Sequence, residues 1–187
     1  MSDPAEGPSV LRDGVSIRFV TEDDAGAVAA AYVRNRAFLQ PWEPVRPEAF
    51  YTPAGQRPLL ANAVAEQAAG RGLFWVLLDG QAVVGRISLN DIVRGAFQNG
   101  HLGYWIAQDY QGRGLATAAA SFACSAAAGL GLHRLQAGTL VHNTGSQTVL
   151  GRNGFSRIGL AENYIRIDGR WQDHVLFQRI LPDTLGG

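Results

Sequence analysis

The chain contains no lysine: its sixteen basic side chains are all arginine, and sixteen Asp plus Glu balance them. Without lysine a Walker-type phosphate loop is impossible, because that motif requires a Lys beside the phosphates. With zero net charge there is no global field to draw in nucleic acid or an anionic lipid surface. The single cysteine, Cys124, excludes an internal disulfide and fits a reducing, cytoplasmic compartment. It lies among alanines and serines and reads as a small buried hydrophobe rather than a nucleophile. Residues 1–12 lack an apolar run, so they are read as a disordered tail and not as a signal peptide. The uncharged stretch 115–132, long enough to suggest a membrane span, is rich in alanine and reads instead as a helix packed closely on a sheet. No metal site and no acidic run are assigned.

At 187 residues, 47% hydrophobic and 17% charged, the chain is long enough for one well-cored domain, placed at 13–183. Residues 15–20 alternate like a strand, and Thr21 with Asp24 resembles a capping box opening a helix to about residue 39. A Pro-rich loop is expected over 41–58 and a second helix over 58–69, ended by Gly70 and Gly72. Strands are expected at 73–78 and 82–89 around the Asp79-Gly80 turn, at 96–106, and at 134–141. Helices are expected from Leu115 and over 144–152, and a final hairpin turns at Asp168-Gly169. The order describes an α/β (α+β) chain with a mixed, mostly antiparallel sheet flanked by helices.

The most informative stretch is LGYWIAQDYQGRGLAT, residues 102–117, where a strand runs into a glycine turn that opens the alanine-rich helix. Gly112 and Gly114 can adopt positive φ, and the first N–H groups of the helix have no intrahelical partners, so the turn suits a phosphate. A dinucleotide-binding turn would read G-x-G-x-x-G and be followed by an acid about twenty residues on. Here the third position is Thr117, and no carboxylate lies near Gln136.

Gln111-Gly112-Arg113-Gly114-Leu115-Ala116 instead resembles the coenzyme A loop of the GNAT acyltransferases. Asn143-x-x-Ser146-x-x-x-Leu150-x-x-x-Gly154-Phe155 is similar to a second signature of that superfamily. The segments IVRGAF at 92–97, LQPWEP at 39–44 and NYIRIDGRWQDHVL at 163–176 narrow the resemblance to the RimJ/RimL-type alanine N-acetyltransferases, on the RimJ side.

This resemblance implies acetyl-CoA as co-substrate and direct acetyl transfer to a primary amine, most fittingly the N-terminal α-amine of a protein or peptide, a ribosomal protein among the candidates. A small-molecule amine as acceptor and a non-catalytic acyl-CoA sensor are the competing readings. Neither nucleic acid nor membrane is an expected partner, and monomer and homodimer both remain open. The implied cofactor contacts are Trp105, Ile106, Gln111, Gly112, Arg113, Gly114, Leu115, Ala116, Thr117, Asn143 and Ser146. Ser146 is the implied proton donor to the departing thiolate, with an N-terminal helix cap or a first-turn helix serine as the alternative role, and Asn143, counted with it in the catalytic set, caps that helix and could also hold the cofactor's pantetheine or a water. A glutamate proposed as base in the RimL branch falls at Ile165, which cannot accept a proton. Local help could come from Asp91, His101, Asp173 or His174, and Trp42, Tyr164 and Trp171 are candidates to line the acceptor pocket.

Overall fold

A tight turn at Asp13 and Gly14, both at positive φ, folds β1 (Ser9–Arg12) back on β2 (Val15–Phe19). The computed structural model describes residues 7–182. The expectation of a disordered tail over 1–12 is corrected for its last residues, since Ser9–Arg12 is a paired strand whose Leu11 packs on the main core. Residues 1–6 lie outside the described residues, as does 183, the last residue of the expected domain.

The first helical region is broken rather than continuous. After a short 3-10 turn, α1 (Ala25–Arg34) stops at Asn35 and α2 (Arg36–Leu39) follows. Asn35 Nδ2 donates to the Ala31 carbonyl at 2.9 Å, while its Oδ1 accepts from the Gln108 backbone at 2.8 Å. This buried side chain thus competes with the helix backbone and ties the break to the segment just ahead of the glycine turn. The next helix, α3 (Pro53–Ala68), begins five residues before its expected start because Pro53, not Pro58, occupies the first turn after the Thr52 cap. Thr52 Oγ1 accepts from Gly55 N at 3.1 Å.

The remaining elements are β3 (Leu73–Asp79), β4 (Ala82–Val93), β5 (Asn99–Ile106), α4 (Leu115–Gly129), β6 (Arg134–Leu140), α5 (Thr144–Arg152), β7 (Ser156–Ile167) and β8 (Arg170–Ile180). Among the described residues eight strands form one sheet in the order β1-β2-β3-β4-β5-β6-β8-β7, with β5 and β6 parallel. The expected mixed, mostly antiparallel sheet is therefore observed.

Both faces of β3 are buried, which explains its unbroken apolar run. Trp75 and Leu77 point toward α4, where Ala119, Ala120, Ala123, Cys124 and Ala127 let the helix lie close to the sheet. Val76 and Leu78 point the other way, toward Val28, Tyr32 and Leu60 of α1 and α3. Cys124 is buried, and that burial pushes its thiol pKa up, away from the reactive range. Among the described residues no helix is long and apolar enough to cross a membrane.

The connection β5-α4-β6 creates the site. β5 and β6 pair only between Asn99–His101 and Arg134–Gln136. Beyond those residues the two strands continue without pairing each other, so the sheet opens into a notch.

Candidate active site

The glycine turn sits at the mouth of this notch. Gly112 and Gly114 have φ of 74° and 73°, a region that any side chain would strain. The first i to i−4 bond of α4 runs from Ala118 N to Gly114 O at 3.0 Å, so the N–H groups of Leu115, Ala116 and Thr117 lie ahead of the helical ladder. No acidic side chain occupies the first turn. Gln111 has a different task, because its Nε2 donates to the Ile106 carbonyl at 2.7 Å and ties the end of β5 to the turn.

A cavity of about 570 Å³ extends from this turn along β5 and α5. Its walls include Trp105, Ile106, Gln111, Gly112, Gly114, Leu115, Ala116, Thr117, Asn143 and Ser146, ten of the eleven residues expected at the cofactor. Arg113 is the exception: its guanidinium lies 4.8 Å over the Tyr110 ring. A second cavity of about 170 Å³ fills the notch between β5 and β6 and shares Trp42, Tyr104, Asn143 and Ser146 with the first.

At the junction of the two cavities lies the first turn of α5. Asn143 is the cap, with Oδ1 accepting from Ser146 N at 3.0 Å. Ser146 sits two residues inside the helix, and its Oγ lies 2.9 Å from the Tyr104 hydroxyl. That hydroxyl also donates to the Ser146 carbonyl at 3.3 Å. Burial pushes the Tyr104 pKa up to about 12, against the smaller opposing effect of the Ser146 hydrogen bond, so the phenol keeps its proton throughout the neutral range. Tyr104 belongs to the LGYW segment, but strand periodicity alone gave no reason to single out its hydroxyl.

Trp105 anchors the opposite wall. Its Nε1 donates to the Tyr32 hydroxyl at 2.9 Å, which fixes the indole between the two cores. The Trp42 ring lies tilted at 5.4 Å from the His142 ring and closes the cavities from the side of α2.

The expected acceptor residues divide. His174 is only 4% exposed and lines the notch cavity. Its Nδ1 lies 3.0 Å from the Gln172 carbonyl, which can only accept, so Nδ1 carries a proton and donates it. Tyr164 packs 5.6 Å from His174 but is itself exposed. Asp91 is exposed at a bulge of β4 with φ 50°, and it borders neither cavity. Asp173 accepts from Asn163 N at 2.9 Å and holds the irregular part of β7 in place. Trp171 is 62% exposed on the β7–β8 hairpin and lies outside both cavities.

One acid that sequence reasoning passed over stands nearby. Glu43 lines a third cavity, of about 190 Å³, together with Tyr32 and Leu39, and Leu39 is also part of the main cavity wall. Burial pushes its carboxyl pKa up, and Arg46 and Arg86 oppose that only in part. The tip of the β7–β8 hairpin bonds this segment directly, from Asp168 N to the Glu43 carbonyl at 3.0 Å. Its signal in the sequence, a Glu between Trp42 and Pro44, has no periodicity to mark it.

Comparison with known proteins agrees with this geometry. Residues 15–156 match the family model of the acetyltransferase (GNAT) domain. The ribosomal protein uS5-alanine N-acetyltransferase of Escherichia coli (strain K12) is 36% identical over 178 residues, covering 94% of this chain and 92% of that protein. The crystal structure of the ribosomal-protein-S5-alanine acetyltransferase from Vibrio fischeri superposes with a TM-score of 0.90 at 31% identity, covering 95% of this chain and 98% of the other. The Mycobacterium smegmatis RimJ structure in complex with CoA-disulfide gives a TM-score of 0.86 at 30% identity, over 93% and 86% of the two chains. With a glycine turn at a helix start, a split parallel strand pair and these relatives in agreement, the chain belongs to the GNAT acetyltransferase family.

Proposed function

We propose that this protein moves an acetyl group from acetyl-CoA to the N-terminal α-amine of a protein or peptide with a small first residue, alanine or serine, in the cytoplasm. A ribosomal protein is a fitting acceptor, since the relatives of E. coli and V. fischeri are named for acetylating one. The observation that carries the reading is the Tyr104–Ser146 hydroxyl pair, held at the junction between the cavity that begins at the glycine turn and the notch that faces His174.

Two features fit coenzyme A. The turn offers N–H groups and a positive helix end to its phosphates. In the notch, Thr139 Oγ1 is buried without a hydrogen-bond partner, and the edges of β5 and β6 that no longer pair can take an amide-bearing chain. Acetyl-CoA supplies the acetyl group as a thioester, and its transfer to nitrogen leaves a thiolate that must be protonated.

Ser146 is placed to give that proton through its hydroxyl and to regain one from Tyr104, whose high pKa makes it a partner in a relay rather than a strong acid. Trp105, fixed by Tyr32, and Trp42 exclude water from the reacting end. The amine loses one proton overall and the sulfur gains one, so an acceptor that is already neutral needs little from the protein. An α-amine with pKa near 7.8 costs roughly 3.5 kcal/mol less to deprotonate than a lysine near 10.4. His174, which lines the notch, is the group there that can accept the amine's proton.

The test follows free thiol during incubation with acetyl-CoA and two peptides, one starting with alanine and one N-blocked and carrying lysine. The Ala-starting peptide is expected to show the higher kcat/KM, rising with pH up to about 8. Faster acetylation of the blocked peptide would overturn the α-amine assignment, and no thiol release with either peptide would overturn the enzymatic reading.

A further inference from the structure

The N-terminal hairpin brings a cation to the glycine turn. A β-carbon placed on Gly114 would sit 3.1 Å from Nη1 of Arg12 and 3.5 Å from its Cζ. The guanidinium therefore rests against the residue at which α4 begins, although 101 positions of sequence separate the two in a region where neither strand periodicity nor the glycine motif links them. The strand that carries it is held by the fold: β1 pairs with β2, Leu11 packs against the main core, and the tight Asp13-Gly14 turn joins the two strands.

The charges around it are incomplete. Arg12 Nε faces Asp13 Oδ2 at 3.8 Å across exposed side chains, a contact too long and too wet to hold the guanidinium firmly. Among the described residues no other ion pair or hydrogen bond reaches its Nη atoms. They lie next to the positive end of α4, where the first turn carries no acid. Two positive centres beside each other with no anion between them repel, and a bound phosphate reverses that repulsion. Arg113, the arginine within the turn itself, is occupied elsewhere over the Tyr110 ring, whose hydroxyl is held by Asp79 at 2.6 Å.

We propose that Arg12 clamps the diphosphate of coenzyme A against the glycine turn, so that the N-terminal strand completes the cofactor site. The guanidinium closes over Gly114 and donates from its Nη atoms to phosphate oxygens, opposite the N–H groups of Leu115 to Thr117. The inference rests on the coenzyme A reading above and assigns a residue that lies outside the glycine turn and outside the lining of the main cavity.

The experiment is calorimetric titration of the full chain with CoA and with dephospho-CoA, which keeps the diphosphate but lacks the 3′-phosphate. Arg12→Ala is expected to weaken both ligands alike by roughly tenfold, the scale of one lost hydrogen bond to a charged group. Arg12→Lys should recover part of that loss, and Arg113→Ala should change either affinity less than Arg12→Ala does. Unaltered affinity in Arg12→Ala overturns the proposal. A loss seen with CoA but not with dephospho-CoA overturns the diphosphate assignment by moving the contact to the 3′-phosphate. A wild-type protein that binds neither ligand would instead overturn the coenzyme A reading itself, a result distinct from wild-type binding that is indifferent to Arg12.

Discussion

The Tyr104 hydroxyl lies 2.9 Å from Ser146 Oγ, joining a strand that ends at the glycine turn to the first turn of the helix that follows β6. Neither residue caps a helix, and both face the junction of the two cavities. Ser146→Ala should lower kcat by roughly 10²-fold while leaving acetyl-CoA affinity and the melting midpoint nearly unchanged. Tyr104→Phe should lower kcat in the same direction, and the double variant should be no worse than about the poorer single one, because the two hydroxyls act as one unit. A fully active Ser146→Ala enzyme would end the assignment.

Asn143 carries the structural role next door. Its Oδ1 satisfies the Ser146 N–H at 3.0 Å, so Asn143→Ala should cost about 1 kcal/mol of stability in chemical denaturation. Asn143→Asp, which keeps the accepting oxygen, should restore most of it. If Asn143→Asp stays as unstable as Asn143→Ala, the cap is not the source of the loss.

Gly114 combines a φ of 73° with the close approach of Arg12. Gly114→Val should therefore weaken coenzyme A by more than tenfold in a titration and also cost about 1–2 kcal/mol of stability, since a branched residue is strained in that conformation. Circular dichroism of the variant should still report the native helix and sheet content. Wild-type affinity in the folded variant would remove the turn from the cofactor site.

Asp24 is buried beneath Arg18, with Oδ1 2.6 Å from Nη2 and Oδ2 2.8 Å from Nη1. Burial raises its pKa, but hydrogen bonds from Arg18 and Thr21 outweigh that and leave it below the ordinary carboxylate value. A carboxylate held low in the folded state adds stability that is present above its unfolded pKa, near 3.9, and is lost as pH falls through its folded one. Asp24→Asn should cost about 2–3 kcal/mol at pH 7 by leaving Arg18 without its counter-charge. The cost should shrink in denaturation curves measured toward pH 3, and a cost independent of pH would show that the ion pair is not its origin.

Local chemistry made much of this protein readable from its residues in order. The Asp79-Gly80 and Asp168-Gly169 turns are found where expected, with positive φ at Gly80, Asp168 and Gly169, and α5 spans 144–152 as the Asn143 cap and periodicity imply. The glycine turn itself was legible for the same reason, since backbone conformation and helix ends depend on neighbours in sequence, whereas Trp105, Ile106, Asn143 and Ser146, which share its cavity, were grouped with it by the family resemblance. What tertiary structure decided was every relationship across the sheet. The helix predicted to run to residue 39 breaks at Asn35 because its side chain finds Gln108, and the supposed tail becomes a strand because β2 offers it a partner. Trp171 and Asp173 share the segment WQDHVL with His174, yet of the three only His174 lines the notch, since successive strand residues alternate faces, and Asp91 is set apart at a bulge of β4. Tyr104 with Ser146, Glu43 beside Tyr32, and Arg12 over Gly114 are distant in sequence and adjacent in space, and no local propensity encodes such pairs.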